Sequence, residues 1–219
     1  MNNSTRGKTR WIVGVALFTG MVIVLQLLGS FIHFGMFSIS LVLVPIVVGA
    51  AVYGAAAGAW LGFVFGVTVL LSGDAAAFLV VNPAGTIAVV LIKGIASGFC
   101  GGLAFRAFAG REHFLGIPFS EIRPLELAEK IRARRMYEGV ILAAIVTPVV
   151  NTGIFLIGCF LFFMPTIEGW AEAFGFGSNV AGYIVSSLVG MNFVFELLFN
   201  VLLGPVITRL IRLERRLHA

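Results

Sequence analysis

Two ionisable side chains, Lys93 and Glu196, lie inside long apolar stretches of this 219-residue chain. A charge within an apolar membrane segment is costly, so such a residue usually contacts a ligand, an ion or a polar partner. A lysine in these surroundings suits a carboxylate or a phosphate group. This pair therefore marks the first place in the chain where we expect chemistry.

Asparagines in two apolar stretches add uncharged polar groups to the pair. If each stretch is a helix rising about 1.5 Å per residue, Lys93 lies about 12 Å from the start of its helix, Asn151 about 20 Å and Asn192 about 18 Å. Successive helices start on opposite sides of the membrane, so these distances place the three side chains in one broad layer. Glu196 lies one turn beyond Asn192. The layer predicts either a pocket for a small polar ligand or an internal lock in which the charged groups bind each other, asparagines and backbone.

Patterns typical of enzymes and metal sites are absent from the sequence. It has no GxxxxGK[ST] loop, no GxGxxG, no HExxH and no GxSxG. Cys100 and Cys159 match no metal or redox spacing, and the three histidines are scattered along the chain. We therefore expect no metal, no cofactor and no enzymatic activity, and we interpret the cysteines as reduced packing residues.

The elements that must position these residues are membrane helices. The chain is 59% hydrophobic and only 11% charged, with a mean hydropathy of +1.05, whereas soluble domains carry about 25% charged residues. Apolar runs between polar breaks predict an all-α membrane protein, one integral membrane domain (residues 1–219) built as a bundle of six transmembrane helices. The predicted helices cover about 11–28, 37–53, 54–71, 85–105, 138–163 and 180–203, with a polar loop at 106–137.

Basic residues indicate the orientation of this bundle. Fourteen of the fifteen Lys and Arg precede the first predicted helix, lie in the 106–137 loop or follow the last helix. Cytoplasmic segments collect Lys and Arg, so we predict that the loop and both termini are cytoplasmic. The net charge of +5 then reflects topology and contact with the lipid bilayer, not nucleic-acid binding. The first apolar run is long enough to span and lacks an AxA-like cleavage site, so we expect it to be retained.

Small residues recur every four positions on three of the predicted helices, a spacing that lets membrane helices pack closely. The stripes are Gly54, Gly58, Gly62 and Gly66, then Gly94, Gly98 and Gly102, and finally Ala16 and Gly20. We interpret the first two as contacts within the chain and the third as a surface for another subunit. Residues 121–136 can also form a basic amphipathic helix, either a linker resting on lipid headgroups or a docking surface.

Several stretches resemble one family of membrane proteins. They are SISLVLVPIVVGAAVYGAAAGAWLGFVFGV (Ser38–Val67), NPAGTIAVVLIKGIASGFCGG (Asn82–Gly102), TPVVNTGIF (Thr147–Phe155) and NFVFELLFN (192–200). With six helices and a basic middle loop, the chain resembles the S components of energy-coupling factor (ECF) vitamin transporters, and the resemblance covers nearly its whole length.

This resemblance implies a substrate-capture subunit in the cytoplasmic membrane of a bacterium, working with a membrane T component and two cytoplasmic ATPase subunits. Such a division of labour suits a chain without a P-loop. The first-helix stripe, Ala16 and Gly20, would dock on the T component, although the second position of the family's stripe is usually alanine. The vitamin would bind from outside, among the outer loops and the outer halves of the last three helices. The candidate ligand-binding residues are Lys93, Asn151, Asn192, Asn82, Trp170 and Glu196.

The ligand itself is a hypothesis. Lys93 and the Asn-Thr-Gly sequence at 151–153 favour pantothenate, and riboflavin and folate stay open. Two other functional classes also remain, a membrane-embedded enzyme and a stand-alone channel or secondary carrier.

Overall fold

The computed structural model describes residues 3–31, 33–34, 37–38, 41–109, 113–114, 117–118 and 125–217. Its helices are α1 (Asn3–Gly29), α2 (Leu43–Tyr53), α3 (Ala55–Ser72), α4 (Ala76–Val81), α5 (Pro83–Ala109), α6 (Leu125–Gly158), α7 (Met164–Ala173), α8 (Val180–Tyr183), α9 (Met191–Leu202) and α10 (Gly204–Leu217). Two π-helical segments, Cys159–Phe163 and Ile184–Gly190, follow α6 and α8. Two short antiparallel hairpins pair β1 (His33–Phe34) with β2 (Phe37–Ser38), and β3 (His113–Phe114) with β4 (Ile117–Pro118).

Five helical stretches within the described residues are long and apolar enough to cross a membrane. They are Gly7–Gly29, Ala55–Ser72, Pro83–Ala109, Leu127–Ala173 and Val180–Leu202. An all-α membrane fold is thus confirmed. The six-helix count and the cytoplasmic position of the termini stay predictions.

The predicted second span, 37–53, differs from the structure at its start. Helix α2 begins at Leu43 and has 11 residues, which gives it a length of about 16 Å. Pro45 lies in its first turn, where a missing N–H costs nothing. A helix extending further upstream would need that N–H to bond the carbonyl of residue 41, so the proline favours a start near Leu43.

Polar contacts fix the direction of α1 against α3. The Trp11 indole donates to the Tyr53 carbonyl at 3.1 Å, and the Trp60 indole donates to Thr19 Oγ1 at 3.2 Å. The two helices therefore run parallel. We call the end of the bundle where α1 and α3 finish the rim, and the opposite end the base. Helix α5 starts at the rim, so it runs antiparallel to α3.

The glycine stripes of α3 and α5 pack against each other, which confirms their predicted role within the chain. A Cβ added to Gly62 would collide with the Gly94 carbonyl, and one added to Gly58 would collide with the Gly98 carbonyl. Gly54 is different, because it lies outside this contact and has φ +95°. It makes the sharp corner between α2 and α3, a conformation that favours glycine.

Helix α6 is one continuous helix of 34 residues, so residues 125–136 of the predicted amphipathic helix are helical and join the predicted fifth span without a break. Buried side chains lie on both sides of position 137 and recur every three or four residues from Met136 onward, so the helix continues to bury one face. They include Ala128, Met136, Val140, Ala143, Thr147 and Asn151. The first residues of the predicted amphipathic helix, 121–124, lie outside the described residues. The predicted basic tail is likewise a helix, α10, which buries Ile207 and Ile211 against α2 and α6 at the base.

Hydrophobic packing among the described residues forms three clusters along the bundle. The middle one joins α1, α2, α3 and α5, and the base cluster joins α2, α5, α6 and α10. The third lies at the rim, where Phe78 of α4 packs with the π-helical segment 159–163, α7 and Tyr183. The candidate site lies below this rim cluster.

Candidate functional site

A cavity opens between α1, α3, α4, α5, α6 and α9, with an empty space of about 600 Å³ that includes the part open to solvent. Its polar wall contains residues from four separate helices and one turn, listed here in chain order: Gln26, Asp74, Thr86, Lys93, Asn151, Asn192 and Glu196. Its apolar wall includes the rings of Phe65, Phe78, Phe155 and Phe163. Small-molecule sites typically combine such an apolar lining with a few converging polar groups.

The ammonium group of Lys93 lies between two aromatic rings. Nζ is 5.7 Å from the centroid of Phe65 on α3 and 5.4 Å from that of Phe155 on α6. Ring faces attract a cation at these distances. The two ring contacts therefore stabilise the ammonium group at the wall of the cavity.

Glu196 on α9 is anchored within its own helix. Asn192 Nδ2 donates to Glu196 Oε1 at 3.3 Å, and Asn200 Nδ2 donates to the Glu196 carbonyl at 2.8 Å. The glutamate is 2% exposed and lines the cavity. Both sequence interpretations therefore have support at this residue, since Glu196 has an internal partner and also borders the cavity.

Three amide oxygens on the cavity wall are buried without a hydrogen-bond donor from the described residues: Gln26 Oε1, Asn151 Oδ1 and Asn192 Oδ1. Buried polar atoms almost always have a partner in proteins. A bound molecule or water with N–H or O–H groups would supply it. The wall is thus rich in hydrogen-bond acceptors.

The structure brings four predicted residues together at this cavity, Lys93, Asn151, Asn192 and Glu196. Asn82 and Trp170 are not among the described residues that line it. Their role in ligand binding stays a prediction.

Asn82 and Trp170 act on neighbours of the cavity wall. Asn82 Oδ1 accepts from the Gly85 amide at 3.0 Å, which caps α5. The Trp170 ring packs edge-on against Phe78 at 5.4 Å between centroids, so it supports a lining ring from behind.

Sequence reasoning missed Gln26, Asp74 and Thr86 as residues of the cavity wall. Gln26 carried a usable signal, because it is a strongly polar amide in the apolar run 11–29. The structure buries it to 1% exposure. Asp74 carried a weaker one, as an acid in a short segment between two spans. Neither signal says that the two side chains meet.

A second cavity, with an empty volume of about 350 Å³, adjoins the first. The two share Lys93, Asn151, Phe155 and Asn192. The second extends between α6 and the sixth span, to Leu188 and Val189 in the π-helical segment 184–190. Wider π turns often occur at functional sites in helices. The shared residues place Lys93 and both asparagines at the junction of the two spaces.

Phe78 joins the wall of the cavity to the aromatic cluster at the rim. Its ring makes edge contacts with Phe155 at 5.7 Å, with Phe163 at 4.9 Å and with Trp170 at 5.4 Å between centroids. It also lines the cavity itself. Short helix α4 therefore contributes an aromatic side chain to both the cavity wall and the rim cluster.

The predicted docking stripe lies on the outer face of α1. Ala16 and Gly20 are both exposed, and a Cβ added to Gly20 would meet nothing within 4 Å. Large apolar side chains surround the stripe, including Leu17 at 65% exposure and Val24 at 55%. In a membrane this face contacts lipid or another protein.

No family model and no curated protein matches the chain. A solved structure does match, that of ThiT from Listeria monocytogenes, with a TM-score of 0.57 and 18% sequence identity over 96% of this chain and 98% of that one. ThiT is an S component of an ECF transporter. The likeness spans both chains almost completely and shows that they share a fold.

Proposed function

We propose that this protein is the substrate-capture S component of an ECF-type importer in a bacterial cytoplasmic membrane, and that its cavity binds a water-soluble vitamin. The observation that carries the proposal is the polar wall around Lys93, which lies inside an apolar bundle with the fold of ThiT. The empty space of about 600 Å³, part of which is open to solvent, is lined by aromatic rings and a few converging polar groups, which is the usual composition of a small-molecule site.

The polar groups of the cavity wall narrow the range of possible ligands. Lys93 suits one carboxylate, and the unpartnered oxygens of Asn151, Asn192 and Gln26 suit hydroxyl or N–H donors. Pantothenate has a carboxylate at one end and an amide and two hydroxyl groups along its length, so it is the ligand we favour. Riboflavin and folate offer donors as well. Thiamine, the vitamin of ThiT, is a cation and would rely on Glu196 and Asp74 instead of Lys93.

The partners follow from the same proposal. A T component in the membrane would contact the exposed face of α1 around Ala16 and Gly20, and two cytoplasmic ATPase subunits would supply the energy. Small residues on an exposed helix face allow a second membrane helix to approach closely. The chain itself would contribute capture and selectivity.

Native mass spectrometry of the protein, purified in mild detergent from its own host, tests the proposal. We expect a bound small molecule with the mass of a vitamin, together with T-component and ATPase subunits in the same preparation. Equilibrium binding of pantothenate, riboflavin, folate and thiamine then identifies the ligand. A preparation with neither a small molecule nor these partners, and with no binding of the four vitamins, contradicts the proposal.

A further inference from the structure

Gln26 and Asp74 form a polar contact at the rim end of the cavity. Gln26 Nε2 donates to Asp74 Oδ2 at 2.5 Å, and Ser72 Oγ donates to the same oxygen at 3.1 Å. Both hydrogen bonds that the carboxylate accepts from the described residues thus fall on Oδ2. Asp74 and Gln26 both line the cavity, so Oδ1 is the carboxylate oxygen left for an occupant.

The carboxylate also determines which way the Gln26 amide is turned. The amide nitrogen and oxygen look alike in shape, so their assignment rests on neighbours. An amide oxygen facing Asp74 Oδ2 at this distance would place two acceptors against each other. The NH₂ group must therefore face Asp74, and Oε1 is turned away from it. That oxygen is buried without a donor from the described residues, in a side chain that is 1% exposed.

This contact lies at a different depth from the lysine. Gln26 is about 5 Å from the rim end of α1, whereas Lys93 is about 15 Å along α5 from its rim end. The cavity therefore has a cation on its deeper wall and an anionic, acceptor-only contact nearer the rim. A ligand that fits both has unlike groups at its two ends.

We infer that Gln26 and Asp74 are a ligand-binding subsite that accepts hydrogen bonds from hydroxyl or amino groups on the end of the ligand remote from Lys93. The inference rests on the proposed vitamin-binding function and adds a selectivity to it. Gln26 Oε1 is buried without a donor from the described residues, and Asp74 Oδ1 can accept one, whereas a phosphate at that position offers mainly acceptor oxygens and negative charge. The subsite therefore selects the free vitamin over its phosphate ester.

A purely structural role for the contact between Gln26 and Asp74 leaves the buried, unpartnered Gln26 Oε1 unexplained. Asp74 follows Gly73, which has φ +88°, and its bonds to Gln26 and Ser72 do tie the turn between α3 and α4 to α1. A structural tie, however, needs no second acceptor buried at a cavity wall. The unpartnered Gln26 Oε1 is explained when a donor enters from the cavity.

Equilibrium binding by calorimetry on the purified full-length protein tests the subsite. The probes are pantothenate, riboflavin and thiamine, each compared with its own phosphate monoester. For the vitamin that binds, we expect the ester to bind at least about tenfold more weakly, as a hydrogen bond to a charged group is worth about that factor or more. We expect Asp74→Asn to weaken binding of the free vitamin about tenfold or more and to narrow the gap between vitamin and ester. Gln26→Met should weaken the free vitamin about three- to tenfold, the range for a neutral hydrogen bond.

Glu172→Gln is the matched control, because Glu172 is an exposed acid on α7 at the same end of the bundle. It removes the same charge without touching the cavity, so both affinities should stay within about twofold of the parent protein. Thermal unfolding of all variants confirms that they fold. If a vitamin binds but Asp74→Asn and Gln26→Met bind it as tightly as the parent, the subsite is overturned while the vitamin-binding proposal stands. If neither these probes nor folate binds the parent protein, and native mass spectrometry finds no bound small molecule and no partner subunits, both are overturned.

Discussion

Replacing Lys93 by methionine tests the electrostatic role of the cavity most directly. Methionine keeps an unbranched chain of similar length, so it preserves contact with Phe65 and Phe155 while removing the charge. The ammonium lies 5.7 and 5.4 Å from those two ring centroids, at the wall of the cavity. A carboxylate entering the cavity would meet this cation away from bulk water, where charge-assisted hydrogen bonds are strong.

The expected magnitude follows from that contact. A hydrogen bond to a charged group contributes about 1.5–3 kcal/mol, which corresponds to roughly 10- to 150-fold in affinity. We therefore expect Lys93→Met to bind pantothenate about 10- to 150-fold more weakly. Pantothenol, in which a hydroxymethyl group replaces the carboxylate, should already bind the parent protein weakly and should lose less than about threefold on the substitution.

The thermal stability of Lys93→Met should rise or stay the same, although its affinity for pantothenate falls. A lysine at the centre of a membrane helix costs about 2.5–3.5 kcal/mol on insertion scales, against which the ring contacts supply about 0.5–2 kcal/mol. We expect the unfolding temperature of Lys93→Met to equal or exceed that of the parent.

Calorimetric titration of both ligands against the parent, Lys93→Met and Lys130→Met measures the effect. Lys130 is an exposed lysine near the base end of α6, so it controls for loss of one positive charge. Equal losses for pantothenate and pantothenol would refute the carboxylate contact, because pantothenol has none to lose. Unchanged pantothenate binding would assign Lys93 a structural role.

Three further predictions concern packing, docking and capping. Gly62→Val should lower the free energy of unfolding by about 1–3 kcal/mol, because its side chain would collide with the Gly94 carbonyl. Thermal unfolding measures this loss against Gly153→Val, a control at a position with open space around it. Equal losses of stability in the two variants would contradict the prediction. Gly20→Leu should leave unfolding and vitamin binding unchanged yet reduce co-purification of the T component, and retained co-purification would exclude this face of α1 as the docking surface. Asn82→Ala should lower the free energy of unfolding by about 1 kcal/mol, because it removes a helix cap, and should change vitamin affinity less than threefold. A tenfold loss of affinity in a stably folded variant would instead show that Asn82 contacts the ligand.

Local sequence determined the class of this protein. Mean hydropathy and the length of the apolar runs predict membrane helices because the bilayer sets a minimum length for each span. The stripes at Gly58–Gly66 and Gly94–Gly102 predicted close helix packing for a related reason, since a spacing of four residues puts them on one helix face. A proline in the first turn of α2, Pro45, marks a boundary that hydropathy alone placed six residues too early.

Some helix boundaries were beyond local reasoning. The amphipathic pattern at 121–136 predicted a helix within the middle loop, but it did not indicate that this helix continues into the fifth span, as α6 does. The helix continues because its buried face packs against α2, α5 and α10. The sequence of α6 alone does not show which helices those neighbours are.

Only the tertiary structure decided which polar groups share the cavity. The sequence placed Lys93, Asn151 and Asn192 at similar depths, because depth along a helix follows from residue number. It could not show the rotation of each helix about its axis, which decides whether a side chain faces the cavity, a neighbour or lipid. Gln26 and Asp74 are 48 residues apart, and they meet because the packing of α1 beside α3 brings their rim ends together. That contact depends on helix–helix packing, which no local pattern in either segment specifies.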